Sequence, residues 1–81
     1  DGINCGTGSV VRGNLCRSNG DGPEVGASIH ATGNDTRIEA NNCTGNDYGI
    51  DVDGAENIII KNSCGNNTTE NFNFAANNIY G

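Results

Sequence analysis

Aromatic residues make up only 5% of this chain; tryptophan and methionine are absent and proline occurs once. Apolar residues of all kinds reach 33%. A thick, oily core is therefore excluded, and a domain of 81 residues is expected to need a staple, a metal or partner chains. No apolar run approaches the length of a membrane-spanning helix, and no signal-peptide pattern is present. Four cations stand against ten carboxylates, for a net charge of −6, which makes nucleic acid and anionic membranes poor partners. No cysteine pair has C-x-x-C spacing, and the single histidine argues against a zinc site. A chain that begins at Asp1 and has no methionine is expected to be a processed, trimmed or excised piece of something longer. What is plentiful is glycine, at 13 residues, together with asparagine, a composition close to the disordered class.

The order in the chain lies in a repeat. "VVRGNLC" (10–16), "RIEANNC" (37–43) and "IIKNSC" (59–64) each read as a short strand, a charged residue, an Asn-containing bend and a cysteine, with the third bend one residue shorter. "GINC" (2–5), "GASIH" (26–30), "GIDVD" (49–53) and "NFNF" (71–74) form a second set, whose first residues are 24, 23 and 22 residues apart. A period in this range indicates a solenoid. Two short alternating strands per repeat, with no helical spacing between them, indicate coils that stack as a parallel β-helix. Alternation places Ile3, Ala27, Ile50 and Phe72 in one inward column and Cys5, Ile29, Val52 and Phe74 in the next. Val11, Ile38 and Ile60 form a third, preceded by Ser9, Thr36 and Ile58. Cys16, Cys43 and Cys64 close the set as free, inward thiols. Outward, Arg12, Glu39 and Lys61 are expected to form a charge ladder that favours this register.

These stretches, above all "GIDVDGAENIIIKNSCGNN" and "RIEANNCTGNDYGI", resemble the right-handed parallel β-helix repeat proteins of the pectate-lyase-like superfamily. "NFNFAANNIYG" resembles the C-terminal coils of uncharacterised bacterial proteins of that type. The resemblance covers essentially the whole chain and implies one all-β domain over residues 1–81, a right-handed solenoid of about 3.5 coils with 22–24 residues each. It also implies a bacterial protein, secreted or at the cell surface. The family includes pectate lyases, polygalacturonases, alginate epimerases, phage tailspikes and proteins without known activity. Its enzymes carry more coils and long loops that build a cleft. Here the only long bend is "RSNGDGPEV" (17–25).

Asp51 and Asp53 project outward from one strand, with His30 in the preceding coil expected opposite Asp53, and Ser28 and Asn73 flanking Asp51. An outward His–Asp pair resembles the acid and base of polysaccharide lyases and epimerases. Proton abstraction beside a carboxylate also needs Ca²⁺ or Arg/Lys to stabilise the developing charge, and three of the four cations align with the other strand. A solvated polar face is the expectation, and no catalytic, cofactor-binding or metal-ligating residue is assigned. "NGDGPE" (19–24) and "GNDYGIDVD" (45–53) offer carboxylates for a structural Ca²⁺ but fall short of established calcium loops, and turn chemistry explains them equally well. The expected function is therefore a small structural, self-assembling β-helix without catalysis or cofactor. Its expected partner is itself, as a trimer by analogy with trimeric β-helical phage fibres, through an outward face carrying Val10, Arg37 and Ile59. The alternative is a terminal fragment of a polysaccharide-active or carbohydrate-binding β-helix, for which Tyr48 and Tyr80 are the aromatics available to a neutral glycan.

Overall fold

The computed structural model describes residues 1–20 and 26–81. Among these residues are eleven short strands and no helix. They form three sheets. The first holds β1 (Ile3–Cys5), β4 (Ala27–Ala31), β7 (Tyr48–Val52) and β10 (Glu70–Phe74). The second holds β2 (Val10–Arg12), β5 (Arg37–Glu39), β8 (Ile58–Ile60) and β11 (Ile79–Tyr80). The third holds β3 (Leu15–Arg17), β6 (Asn42–Thr44) and β9 (Ser63–Gly65). Every pairing is parallel, and strands that are neighbours in a sheet come from successive coils. The chain is thus a three-sided parallel β-solenoid of about three turns.

Each of the first three coils has three strands where the sequence pattern gave two. The cysteines expected as an inward column after each bend are the centres of the third-sheet strands, in register as Cys16, Cys43 and Cys64. Apart from Leu15, the residues flanking these cysteines are polar, charged or glycine, so no apolar pattern marks the third sheet. All four cysteines are free. Burial pushes the Cys5 and Cys16 thiols above their ordinary range. The hydrogen bond between Cys43 and Cys64, reinforced by burial, pushes Cys64 up as well.

The asparagines explain how so polar a chain holds together. At the corner between the second and third sheets, Asn41 Oδ1 accepts both the main-chain N–H and the side-chain amide of Asn14, at 2.9 and 3.1 Å. Asn62 Oδ1 accepts the same pair from Asn41, both at 3.0 Å. The Asn41 amide also donates to the Val11 carbonyl, and that of Asn62 to the Ile38 carbonyl. Asn19, Asn46 and Asn67 repeat the arrangement at the next corner. At the remaining corner the Thr36 hydroxyl and then Asn57 and Asn78 take the acceptor role. Asn41, Asn46 and Asn57 are buried, and a buried amide is tolerated only when its groups are paired.

Each of these ladder residues follows one with positive φ. Gly13, Ala40 and Lys61 precede the first ladder at 69°, 59° and 57°; Ser18, Gly45 and Asn66 precede the second at 61°, 71° and 54°. The left-handed residue turns the corner and the asparagine bonds the corner above, so the two form one structural unit.

This unit sets the register and corrects three details of the sequence reading. Val11, Ile38 and Ile59 each lie three residues before a ladder asparagine and pair in that order. Ile59, not Ile60, is the buried member of "III"; Ile58 and Ile60 face outward, and the third bend is as long as the others. Lys61 occupies a corner, so the outward rung reads Arg12, Glu39 and Ile60. In the first sheet Ile29, not Ala27, joins Ile3, Ile50 and Phe72, and Ala31 joins Cys5, Val52 and Phe74. A shift of two residues preserves the inward parity, which is why alternation did not detect it. The coil spacing is uneven as well. Ladder partners are 27 residues apart between the first two coils and 21 between the next two. The extra length falls around the bend at 17–25, of which 21–25 lie outside the described residues.

Core side chains stack in these columns: Val11, Ile38 and Ile59 on one side, Ile29 and Ile50 with Ala31 and Val52 on another, Cys16 and Cys43 on the third. Outside, Glu39 lies 2.7 Å from Arg37 and 3.6 Å from Arg12. The hydrogen bond from Arg37, aided by the charges of Arg37, Arg12 and Lys61, holds the Glu39 carboxyl below the usual 4.5. A carboxyl lowered by folding stabilises the fold above its unfolded value and loses that contribution as pH falls through the folded one. Glu39→Gln is therefore expected to be slightly less stable than the parent above about pH 4.5, and equal to it once both carboxyl states are protonated. Paired urea titrations across pH 2–7 check this.

Candidate functional site

Parallel pairing of β4, β7 and β10 puts His30, Asp51 and Asn73 side by side on the outer face of the first sheet. Asp53 follows at the end of β7, where its N–H donates to the Ala31 carbonyl. His30 is thus opposite Asp51 in register, not Asp53 as expected, but its ring reaches both. His30 Nε2 lies 2.7 Å from Asp53 Oδ2 and 3.7 Å from Asp51 Oδ2. Asn73 donates to Asp51 Oδ1 at 3.0 Å. Ser28 does not flank Asp51: it is buried and its hydroxyl donates to the Cys16 carbonyl.

Asp1 completes the cluster. Its Oδ2 is 3.1 Å from His30 Nδ1, while its Oδ1 accepts the Ala27 N–H. Asp1 precedes the first strand and belongs to no repeat, so periodicity carried no signal for it. Burial raises the Asp51 carboxyl above its ordinary value, and the charge of Asp53 adds to this; His30 and the Asn73 hydrogen bond pull the other way. The result is three carboxylates around one imidazole. Among the described residues no arginine or lysine forms an ion pair with them; Arg12 and Arg37 pair with Glu39.

The two candidate calcium stretches meet in the structure through the Asn19–Asn46 ladder bonds. In 45–53, Gly45 is a corner residue, Asn46 a ladder residue, and Asp47 Oδ2 accepts the Gly26 N–H at 3.1 Å. In 19–24, Asn19 is a ladder residue, and residues 21–24 lie outside the described part of the chain.

A second concavity, of about 420 Å³, opens at the end of the solenoid formed by β10 and β11, lined by Ile59, Asn62, Glu70, Phe72, Phe74 and Tyr80 among others. Phe74 meets both Phe72 and Tyr80, with ring centres 5.6 and 5.2 Å apart. Tyr80 is 64% exposed, whereas Tyr48 is half-buried within β7.

Fold and site together define a parallel β-solenoid with a His–carboxylate cluster on one outer face. No protein-family model matches the chain, and comparison with curated proteins and with solved structures finds no match either.

Proposed function

We propose that the protein is a small right-handed parallel β-helix, pectate-lyase-like in type, that serves as a structural, self-associating element without catalytic activity. The observation that carries this reading is the outer face of the second sheet. Val10 and Ile79 are 65% and 66% exposed there, and Ile58 and Ile60 also face outward. Ile58 and Ile60 take the place assigned in sequence to Ile59, so the apolar strip is broader than expected. Outward isoleucines on a sheet are better explained by a partner than by water. Three copies meeting face to face around an axis close a ring, with no unsatisfied copy of the interface. Against catalysis, no arginine or lysine side chain among the described residues forms an ion pair with the His30 cluster, and proton abstraction beside a uronate carboxylate requires such a charge.

Light scattering coupled to size exclusion tests the proposal. The expected mass is three times the 8.3 kDa of the chain, falling to the single-chain value in an Ile58→Asp, Ile60→Lys double variant. A concentration-independent mass of one chain for the parent overturns self-association, and a dimer mass overturns only the stoichiometry. A second reading, binding of a neutral glycan, is favoured by the Phe72–Phe74–Tyr80 cluster, in which Phe72 and Tyr80 are exposed and Phe74 is half-buried against the core, since sugars stack on aromatic faces. Saturable quenching of tyrosine emission by neutral oligosaccharides, lost in Tyr80→Ala, is its expected signature.

A further inference from the structure

We propose that His30, Asp51 and Asp53 form a binding site for a divalent transition-metal ion of the zinc type. Both nitrogens of the His30 ring face carboxylates, Asp1 on Nδ1 and Asp53 and Asp51 on Nε2. A neutral imidazole donates from one nitrogen only. If it donates from Nδ1 to Asp1, the Nε2 lone pair points at two negative oxygens, which is repulsive unless a cation lies between them. A proton can fill that position, but it leaves three carboxylates with one positive charge. A divalent ion satisfies the same lone pairs and offsets more of the charge.

The geometry is near what an ion needs. The three donor atoms lie within 4.8 Å of one another, and ligands about 2.0–2.2 Å from a tetrahedral zinc are about 3.3 Å apart. The 2.7 Å contact widens and the longest separation closes, each by rotation of a side chain at the surface. One nitrogen and two carboxylate oxygens, with a position left for water, suit zinc better than calcium, which favours six to eight oxygens. The surroundings are braced from outside the donor set. Asp1 holds Nδ1, the carboxylate–histidine arrangement that orients metal-bound imidazoles, and Asn73 holds Asp51 Oδ1 so that Oδ2 faces His30. The donors project from adjacent parallel strands and stand ready without rearrangement of the backbone. The four cysteines take no part, because this face is on the outside, whereas Cys5 packs inward from the first sheet and the other three from the third.

His30 is the only histidine, so its ring C–H resonances report the site directly. Zinc sulfate titrated into the full chain is expected to shift them saturably at one equivalent and to raise the thermal midpoint. Asp1→Asn places an amide donor on Nδ1 and drives the ring proton to Nε2, so binding should weaken about 10–100-fold. Asp53→Asn should weaken it further; Asp53 is a 57% exposed side chain, and the amide spectrum verifies that the fold persists. Asp35→Asn, remote from the cluster, should change nothing. The proposal is overturned if the His30 resonances do not move in excess zinc. It is equally overturned if zinc binds with those resonances unmoved, if calcium competes with equal affinity, or if Asp53→Asn binds as tightly as the parent.

Discussion

Asn41→Ala is expected to lower the unfolding free energy by about 3–5 kcal/mol. Asn41 makes four side-chain hydrogen bonds: it accepts two from Asn14 and donates to the Val11 carbonyl and to Asn62. Alanine removes all four, leaving the half-buried Asn14 N–H without its partner and the Val11 carbonyl without its side-chain donor. Each such orphaned group costs about 1–3 kcal/mol. Total stability for a chain of this length is about 4–12 kcal/mol, so the loss is a large share of it. Asn14→Ala should cost far less. Asn14 sits at the end of the ladder, and of its side-chain bonds one goes to the exposed Arg12 carbonyl. Urea unfolding at one fixed protein concentration, needed because association stabilises, compares the two. Equal losses would mean that the ladder does not support the coils.

Ile59→Asp is expected to abolish the cooperative fold, while Ile58→Asp and Ile60→Lys leave it intact. Ile59 is 2% exposed between Ile38 and Tyr80. Removing such a side chain costs about 2–5 kcal/mol, and burying an unpaired carboxylate adds several more. Ile58 faces outward beside Arg37, and Ile60 beside Glu39, so the substituted charges meet opposite partners. Circular dichroism melts of the three variants give the answer. A folded Ile59→Asp with an unfolded Ile58→Asp would move the inward register by one residue.

Much of this architecture was legible in the sequence because parallel stacking writes the same side-chain type at each coil. Val11 with Ile38, Cys16 with Cys43 and Cys64, and Arg12 with Glu39 were all recoverable. "III" was not, since three identical residues carry no alternation. Counting back three positions from Asn14, Asn41 and Asn62 would have resolved it, because the corner sets the phase. The asparagines were read as turn residues on local grounds, yet their partners lie 21 or 27 residues away, beyond the reach of local turn chemistry. At the candidate site, His30, Asp51 and Asp53 were picked out from strand parity. Asp1 was not, and the exact pairing of His30 was misplaced because the unequal bend between coils shifts β4 by two residues.

Side-chain amides at the corners, together with a thin apolar column, hold the coils in parallel register. Scalar coupling through hydrogen bonds in a uniformly ¹³C,¹⁵N-labelled sample tests it most directly. Correlations are expected from the amide nitrogens of Asn14, Asn19, Asn41, Asn46 and Asn57 to the side-chain carbonyls of Asn41, Asn46, Asn62, Asn67 and Asn78 respectively. Correlations from those amides to the main-chain carbonyls of adjacent antiparallel strands, in place of the side-chain ones, would contradict it.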